Sequence, residues 1–240
     1  MVNAIEVHNL VKEYKIDNYR KNRVLDNVSF SVKYGEFTSI LGISGSGKTT
    51  LLKCISGLMK PSSGEVKING RNPYNLTNRD SAKLRRKEIS FIFQSYNLVP
   101  ALPVIENIAL PLRLSNEKVD KYVIMKILKK LRCNVDIMSM VSDLSGGEKQ
   151  KVAIARTLLS ESPIIFADEP TGALDSESRK IVFDYLKKLS KEGKCILMVT
   201  HDIELASKTD RSLILKEGQI YKDLSSPTSD QLFHALEIFN

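Results

Sequence analysis

The sequence predicts an α/β fold: a parallel sheet at the core, a small antiparallel β-subdomain at the N-terminus and an inserted helical subdomain. The first third alternates apolar and polar residues in short runs, the middle has mainly helical spacing, and the last third alternates apolar strands with helices. Continuous apolar strands that alternate with helices are typical of a parallel sheet covered on both faces. A chain of 240 residues is long enough for one such domain.

The first third supplies the β-subdomain and the first core strand. The runs AIEVHNLV, VLDNVSFSV and EVKING have the alternation of strands, and KYGE, PSSG and NGRNP have the composition of turns. They predict an antiparallel sheet beside a first core strand, EFTSILG. A helix follows in GKTTLLKCISGL, because Leu51, Leu52, Ile55 and Leu58 share one helical face.

The middle of the chain is mainly helical from Ser81 to about Ser160. The clearest helices are KVDKYVIMKILKKL and EKQKVAIARTLLS, and the proline-bearing SYNLVPALPVIENIALPL interrupts the pattern. We predict that 94–161 form a helical subdomain inserted into a core of 1–93 and 162–240. The whole chain, 1–240, is then a single domain.

The last third returns to strand and helix alternation. SPIIFADEP and CILMVTHD read as buried strands, and SESRKIVFDYLKKLSKEG between them reads as an amphipathic helix. RSLILKEGQIYKDL predicts a hairpin that turns on Glu217 and Gly218. These strands complete the predicted parallel sheet.

Composition excludes several classes of protein. No apolar run approaches the roughly 18 to 20 residues that span a bilayer, and the N-terminus lacks the pattern of a secretory signal. Three scattered cysteines suit a reducing cytosol and are not expected to form a metal site. The net charge of +8 permits contact with anions, but the lysines alternate with acids and no nucleic-acid-binding motif is present, so no nucleic-acid partner is expected.

The segment GISGSGKT fits the phosphate-loop pattern at every fixed position. Its glycines let backbone N–H groups turn toward phosphate oxygens at the start of a helix. Lys48 would reach the outer phosphates, and the Thr49 hydroxyl would ligate Mg²⁺. The alternative is a glycine-rich turn that only caps a helix. The candidate nucleotide contacts are Gly42, Ser44, Gly45, Ser46, Gly47, Lys48, Thr49 and Thr50.

The segment IIFADEP supplies two carboxylates at a strand end. Asp168 would contact Mg²⁺ directly or through water, and Glu169 would polarise the attacking water as general base. Adjacent residues at a strand end point in different directions, so the two can take different roles. The alternative is an ordinary strand end followed by a turn.

A second glycine pair occurs in LSGGE. Ser145 and Glu148 have the spacing of a capping box, which by itself explains a helix start. A capping box does not require Gly146 and Gly147, however. The two glycines expose the helix N-terminus to a bulky anion, so we predict a second anion site here.

These motifs together resemble one family. The ordered set GISGSGKT, FIFQ, LSGGE, ADEP, ALD and VTHD is similar to that of the nucleotide-binding subunit of ATP-binding cassette (ABC) transporters, over essentially the whole chain. The resemblance implies a P-loop NTPase (RecA-like) core and ATP with Mg²⁺ as cofactors. It also implies that two cassettes pair head to tail, so that the signature loop LSGGE of one closes over ATP held by the other.

The resemblance implies further site residues. Tyr14 would stack on adenine, although a surface tyrosine is the alternative, and Gln94 would contact Mg²⁺ and link the helical subdomain to the core. His201 would hold the γ-phosphate and act with Glu169 and Lys48 in catalysis. Asp175 would contact the opposing cassette, with Ser145 and its loop completing the nucleotide contacts.

Within the family, FIFQSYNLVPALPVIENIALPL together with ADEPTGALDS resembles the branch of the macrolide exporter MacB, the lipoprotein-releasing ATPase LolD and the peptide-antibiotic resistance and sensing modules. We therefore expect an ATPase that forms a homodimer around ATP and drives a separate membrane permease, on the cytoplasmic face of the membrane. The segment from Tyr96 to Leu114 is the candidate permease dock. A sensory complex and a soluble ATPase without a transport role are the alternatives. Glu148, Lys151 and Pro103 depart from the commoner residues of the family, and none of them removes a catalytic group.

Overall fold

The computed structural model of the chain describes residues 2–17 and 20–237. The predicted domain limits at 1 and 240 lie outside these residues. In chain order the strands are β1 (Asn3–Lys15), β2 (Lys21–Lys33), β3 (Phe37–Leu41), β4 (Ser63–Ile68), β5 (Ile89–Ile92), β6 (Ile164–Asp168), β7 (Cys195–Thr200), β8 (Arg211–Lys216) and β9 (Gln219–Ser225). The helices are α1 (Lys48–Ile55), α2 (Asn78–Lys87), α3 (Val104–Leu114), α4 (Lys121–Lys130), α5 (Gly146–Leu159), α6 (Ser176–Lys191), α7 (Ile203–Ser207) and α8 (Ser229–Glu237).

A six-stranded sheet in the order β5-β6-β7-β3-β8-β9 forms the core. All its neighbouring strands are parallel except β9, which pairs antiparallel with β8. Strands β3, β6 and β7 are buried throughout, and the side chains of β6 and β7 alternate between two apolar clusters on opposite faces. In β7, for example, Met198 packs on one face and Leu197 on the other. The predicted parallel sheet covered on both faces is confirmed.

The N-terminal subdomain is a three-stranded antiparallel sheet in the order β2-β1-β4. Its apolar residues, such as Leu10 and Val66, join the cluster that also holds α1. The predicted antiparallel β-subdomain is therefore confirmed. Its packing against α1 fixes the segment between β3 and α1 relative to the sheet.

Helices α3, α4 and α5 pack against one another within the predicted helical segment 94–161. Ile108 of α3, Leu128 of α4 and Val152 of α5 share one cluster with the sheet face. This inserted helical unit therefore rests directly on the core.

Two details differ from the sequence pattern. The mainly helical middle contains β5, an edge strand of the core sheet. With four residues it is too short to give a recognisable strand pattern in the sequence. The helices α7 and α8 were not predicted, since five and nine residues give a weak periodic signal.

The predicted hairpin is present, with Glu217 and Gly218 at φ of 45° and 76° between β8 and β9. Within the described ranges no helix is long and apolar enough to cross a membrane.

Candidate active site

Three neighbouring strands of the core sheet end at the same edge. In the order β6-β7-β3 they run parallel, so their carboxyl ends lie side by side. The glycine loop follows β3, Asp168 ends β6 and Thr200 ends β7. Ligands of open α/β sheets bind outside the carboxyl ends of the strands. This edge is therefore where the predicted motifs meet.

A cavity of about 560 Å³ opens at this edge. Its lining consists of Val24, Ser44, Gly45, Gly47, Lys48, Thr49, Thr50, Gln94, Asp168, Glu169 and His201. The structure thus brings together the phosphate loop, the strand-end carboxylates, Gln94 and His201, as the sequence predicted. Val24, on the antiparallel sheet, was missed, because no local pattern shows which residue of β2 faces the loop.

The phosphate loop presents an open helix start. Gly47 stands at the N-cap of α1 with φ of 101°, a left-handed conformation that favours glycine, and it makes no side-chain cap. The first N–H groups of α1 therefore have no capping side chain and can receive an anion. The Lys48 ammonium donates to the carbonyls of Gly42 and Ile43, each at 2.8 Å, so it lies across the loop.

Charge at the loop is balanced by nearby carboxylates. Burial lowers the pKa of Lys48, while the charges of Glu169 and Asp168 act in the opposite direction. Burial also raises the pKa of Asp168, which the hydrogen bond from Thr49 opposes. The loop lysine and the strand-end carboxylates are thus electrostatically coupled. An added anionic ligand would favour the charged form of Lys48.

The oxygen donors of the cavity suit a magnesium ion. Thr49 Oγ1 donates to Asp168 Oδ1 at 3.2 Å, and Gln94 lines the same cavity. Mg²⁺ prefers oxygen ligands and keeps several waters, so it does not need a cage of carboxylates. In the described part of the chain, no group of three or more His, Cys, Asp or Glu side chains is placed to hold a metal. The donor set matches a metal shared with a phosphate ligand.

Glu169 and His201 are in direct contact, which the sequence did not reveal. Glu169 has φ of 46°, and its side chain is only 12% exposed, against 70% for that of His201. His201 Nδ1 lies 2.7 Å from Glu169 Oε1, and Thr200 Oγ1 donates to Glu169 Oε2 at 3.1 Å. The left-handed backbone of a non-glycine residue at a strand end marks strain of the kind held at functional sites. Both carboxylate oxygens of Glu169 are thereby oriented, and Nε2 of His201 is left for a ligand.

The loop after Gln94 is held by a residue that sequence reasoning missed. Tyr96 and Asn97 both have left-handed backbones, with φ of 64° and 48°. Arg156 of α5 donates to the carbonyl of Asn97 at 2.6 Å and to that of Tyr96 at 2.9 Å. Burial lowers the pKa of Arg156. An arginine on a mostly buried helix was the available signal, and its partners could not be read from spacing.

The signature loop begins α5 with the predicted capping box. Glu148 N donates to Ser145 Oγ at 3.3 Å, and Ser145 N and Oγ donate to Glu148 Oε2 at 2.9 and 2.7 Å. These donors lower the pKa of Glu148. A Cβ at Gly146 would lie 3.1 Å from the Tyr96 hydroxyl, whereas at Gly147 the nearest atom would be at 3.6 Å. Packing within the chain therefore accounts for Gly146 more than for Gly147. None of the four residues Ser145 to Glu148 lines the cavity.

Four further predicted residues also lie outside the cavity lining. Tyr14 is on β1, where its hydroxyl donates to Met59 Sδ at 3.0 Å. Asp175 caps α6 by accepting from Ser178 N at 2.9 Å, and this bond lowers the pKa of Asp175. Their nucleotide and partner contacts remain predictions.

The other two are Gly42 and Ser46, in the phosphate loop itself. A Cβ at Gly42 would lie 2.4 Å from the carbonyl oxygen of Leu215, so packing against β8 already requires a glycine there. Ser46 is buried, and its hydroxyl has no hydrogen-bond partner among the described residues. Contacts of these two residues with a nucleotide also remain predictions.

Known proteins match this chain over most of its length. The sequence profile of the ABC transporter family matches residues 25–172. The ABC transporter ATP-binding protein YxdL of Bacillus subtilis is 39% identical over 237 residues, covering 98% of this chain and 91% of that protein. The lipoprotein-releasing system ATP-binding protein LolD of Wigglesworthia glossinidia brevipalpis is 41% identical, covering 91% of this chain and 96% of that protein.

A third relative is longer. The macrolide export ATP-binding/permease protein MacB of Campylobacter jejuni is 42% identical over 208 residues, which are 86% of this chain but 32% of MacB. This chain therefore spans about a third of MacB. The likeness does not extend to the rest of that protein.

A solved structure shows the same fold. The dimeric cassette MJ0796, from Methanocaldococcus jannaschii and described as a post-hydrolysis state bound to ADP and Pi, has a TM-score of 0.87 and 38% identity. The likeness covers 93% of this chain and 99% of that one. The predicted P-loop NTPase core is thereby confirmed. The profile match takes in the phosphate loop, the signature loop and Asp168, so this chain belongs to the ABC transporter family, as one of its ATP-binding and ATP-hydrolysing cassettes.

Proposed function

We propose that this cassette forms a homodimer around two ATP and powers a separate membrane permease that exports or displaces an amphiphilic compound. The observation that carries the proposal is the separation of the two glycine loops. The phosphate loop lines a cavity made by its own chain, whereas the signature loop lies outside that cavity. A second copy is what would place a nucleotide against the signature loop.

Phosphate binding falls to the loop and to α1. The N–H groups at the start of α1 and the Lys48 ammonium would bind the outer phosphates, with Lys48 exchanging its bonds to loop carbonyls for phosphate oxygens. Thr49, Asp168 and Gln94 would hold Mg²⁺, which would neutralise charge on the phosphate oxygens. Binding therefore depends on groups that are already positioned along one edge of the sheet.

Hydrolysis falls to Glu169 and His201. The Glu169 carboxylate would accept a proton from the attacking water, while its bonds to Thr200 and His201 fix its orientation. With Nδ1 engaged by Glu169, the other ring nitrogen of His201 would face the γ-phosphate. The positioning of water and phosphate, together with charge stabilisation, would supply most of the rate acceleration.

The partner cassette would complete the site with its signature loop. The capping box uses the N–H of Glu148, so the N–H groups of Gly146 and Gly147 remain for an anion at the start of α5. Ser145 and Asp175 would add contacts across the interface. The dimeric structure of MJ0796, described with ADP and Pi, supports such an arrangement for this chain.

The transport role rests on the relatives. MacB is named a macrolide export protein and LolD a lipoprotein-releasing one. Macrolides and lipoproteins are both amphiphilic molecules. We propose a cargo of this kind, or an antimicrobial peptide, and a place on the cytoplasmic face of the membrane through the permease. Co-purification with a permease and substrate movement in vesicles would separate this role from a soluble or purely sensory one.

The proposed permease dock is the segment from Tyr96 to Leu114. Its internal bonds hold it in shape, because the buried Asn107 side chain accepts from Val99 N at 2.7 Å and donates to the carbonyl of Leu102 at 2.9 Å. Leu98 packs against the apolar cluster shared by the helical unit and the sheet, so its replacement by Asp would disturb folding as well as docking. Val99, at 37% exposed, offers the cleaner test. Permease assembly that survives Val99→Asp would count against this dock.

The decisive experiment is the molecular mass of the Glu169→Gln variant in solution, with and without ATP, by light scattering on a sizing column. We expect a monomer that becomes a dimer only with ATP, because binding is retained while turnover is blocked. A variant that binds ATP, as shown by a nucleotide titration, yet remains a monomer would contradict the shared site in the isolated subunit.

A further inference from the structure

A groove of about 1030 Å³ runs along α4 in the helical unit. Its apolar lining comes from α4 and from the chain that follows it: Tyr122, Met125, Leu128, Cys133, Val135 and Ile137. It shares no described residue with the nucleotide cavity. The groove is larger than that cavity, and the ATP cycle proposed above does not use it.

Helix α4 has an inner and an outer face. Ile124 and Ile127 point inward and are buried in the main core. Tyr122 and Met125, three residues apart, are 72% and 55% exposed on the groove side. Side chains at this spacing share one helix face. The outer face thus presents a tyrosine and a flexible methionine, which adapt well to a bound apolar surface.

The rim of the groove is basic. Lys126, Lys129, Lys130 and Arg132 line it, and Asp136 is the single acidic residue of its described lining. Lys130 lies over the ring of Tyr185, and Arg132 forms an ion pair with Glu177.

Two of these rim cations are unpaired. Lys126 and Lys129 are exposed and form no ion pair with any described residue. Asp136 forms no ion pair with either lysine among the described residues, and its carboxylate accepts from Met138 N at 3.0 Å. An apolar floor therefore lies beside unpaired positive charge.

We propose that this groove binds an amphipathic helix of a protein partner, with acidic residues flanking its apolar face. A groove that follows a helix fits the helix-in-groove mode, in which apolar anchors enter and flanking charges set orientation. A membrane surface fits less well, because the apolar side chains line a concave groove. Lys126 and Lys129 would pair with acidic side chains, so we expect acidic residues on the flanks of the partner helix.

The place of the groove links it to the signature loop. Helix α4 packs against α5, which begins at the LSGGE loop. Lys151 of α5 donates to the carbonyl of Arg132 on the rim at 3.2 Å. A helix bound in the groove would therefore rest on the same packed unit that presents the signature loop.

The test uses two designed helical peptides of roughly 14 residues, about four turns. Both carry leucines at helical spacing; one has glutamates on the flanks and the other lysines. Their binding is followed at low salt through the methyl NMR signals of the methionines in the full chain. Met125 reports on the groove, and Met198, which is buried in β7, is the internal control. We expect the glutamate peptide to shift Met125 and leave Met198 unmoved, and the lysine peptide to shift neither.

Charge reversal supplies the matched comparison. Lys126→Glu with Lys129→Glu should weaken binding of the glutamate peptide about tenfold, because two rim charges change sign. Lys60→Glu with Lys191→Glu, which makes the same change of net charge at exposed sites on the core, should leave binding unchanged. An unmoved Met198 signal shows that each variant is folded.

Four results would overturn the proposal. The glutamate peptide could leave Met125 unmoved up to about millimolar concentration. The two peptides could bind equally, or the control pair could weaken binding as much as the rim pair. Vesicles containing anionic lipid could shift the Met125 signal while the glutamate peptide does not. If that shift required Lys126 and Lys129, the surface would be assigned to a membrane.

Discussion

The chain places a glycine loop at the start of two helices, and the two loops are built differently. Before α1, Gly47 leaves the helix start open, and the chain itself surrounds it with a cavity. Before α5, the Ser145 and Glu148 side chains each bond the other residue's backbone N–H, and the loop does not line the nucleotide cavity. The same local feature thus borders a cavity of its own chain in one place and, in the dimer that we propose, the nucleotide of a partner in the other. The residues packed around a helix start therefore decide whether its own chain or, in the proposed dimer, a partner supplies the rest of the site.

The largest expected effect is that of Glu169→Gln, which changes the nucleotide cavity and leaves the signature loop intact. If the cavity side alone carries the chemistry, this change should lower the ATP hydrolysis rate about a hundredfold to ten-thousandfold, the usual contribution of a general base. Nucleotide affinity should stay near that of the parent, since glutamine keeps the shape of the side chain. Phosphate release under single-turnover conditions measures the rate. Hydrolysis at the parent rate would show that Glu169 is not the base.

A second test removes the cation of the phosphate loop. Lys48→Ala should weaken ATP binding roughly a hundredfold, because a charge-assisted contact of about 3 kcal/mol is lost. Titration with a fluorescent ATP analogue measures the affinity.

The control for this change is Lys53→Ala, an exposed lysine of the same helix that lies outside the cavity lining. It should bind nucleotide like the parent. Near-normal affinity of the Lys48→Ala variant would mean that the open start of α1 suffices without the lysine.

Local sequence predicted the phosphate loop almost completely, but it did not predict the contacts of Glu169. The strand, glycine loop and helix are contiguous, so Gly45 to Thr49 could be placed from pattern alone. The bonds of Glu169 to Thr200 and His201 join residues about thirty positions apart, and only the parallel pairing of β6 with β7 brings them together. Long-range side-chain contacts leave no periodic trace.

The loop that follows Gln94 is a second case in which long-range contacts could not be predicted from the sequence. Its left-handed residues are Tyr96 and Asn97, and the tyrosine in particular gives no turn signal. The buried side chain of Asn107 and the guanidinium of Arg156 fix this loop through carbonyl contacts. The partners of these two polar residues cannot be read from their spacing within the helices. Sequence therefore locates Gln94 but not the supports of its loop.

A third prediction concerns the glycine that packing within the chain does not explain. Gly147→Ala should leave folding and the ATP affinity of the monomer unchanged, because the nearest atom to the new Cβ lies at 3.6 Å. If a partner's nucleotide approaches this helix start, the methyl group should raise the ATP concentration needed for dimerisation about tenfold. Light scattering in the Glu169→Gln background measures that midpoint. An unchanged midpoint would place the partner's nucleotide elsewhere.

The smallest expected effect belongs to Glu148, where the two loops differ in charge. The Ser145 hydroxyl donates to the Glu148 carboxylate at 2.7 Å, so the carboxylate competes with any phosphate for that proton. It also places a negative charge beside the proposed anion site. A glutamine at this position would keep a capping bond to Ser145 N without the charge. Glu148→Gln should therefore lower the ATP midpoint for dimerisation by about threefold to tenfold.

The effect of Glu148→Gln should not depend on pH near neutrality. The bonds from Ser145 hold the pKa of Glu148 below its usual range, so the carboxylate stays ionised near neutral pH. The difference between parent and Glu148→Gln should then persist from about pH 6 to 9, since Glu148 does not titrate there. Ser145→Ala in both backgrounds is the control: without the hydroxyl the competition disappears, so the difference between the two midpoints should shrink to the part that the charge of Glu148 contributes. A midpoint that rises in the Glu148→Gln variant would mean that the glutamate assists closure, and that its bond to Ser145 orders the loop for the nucleotide instead of withholding it.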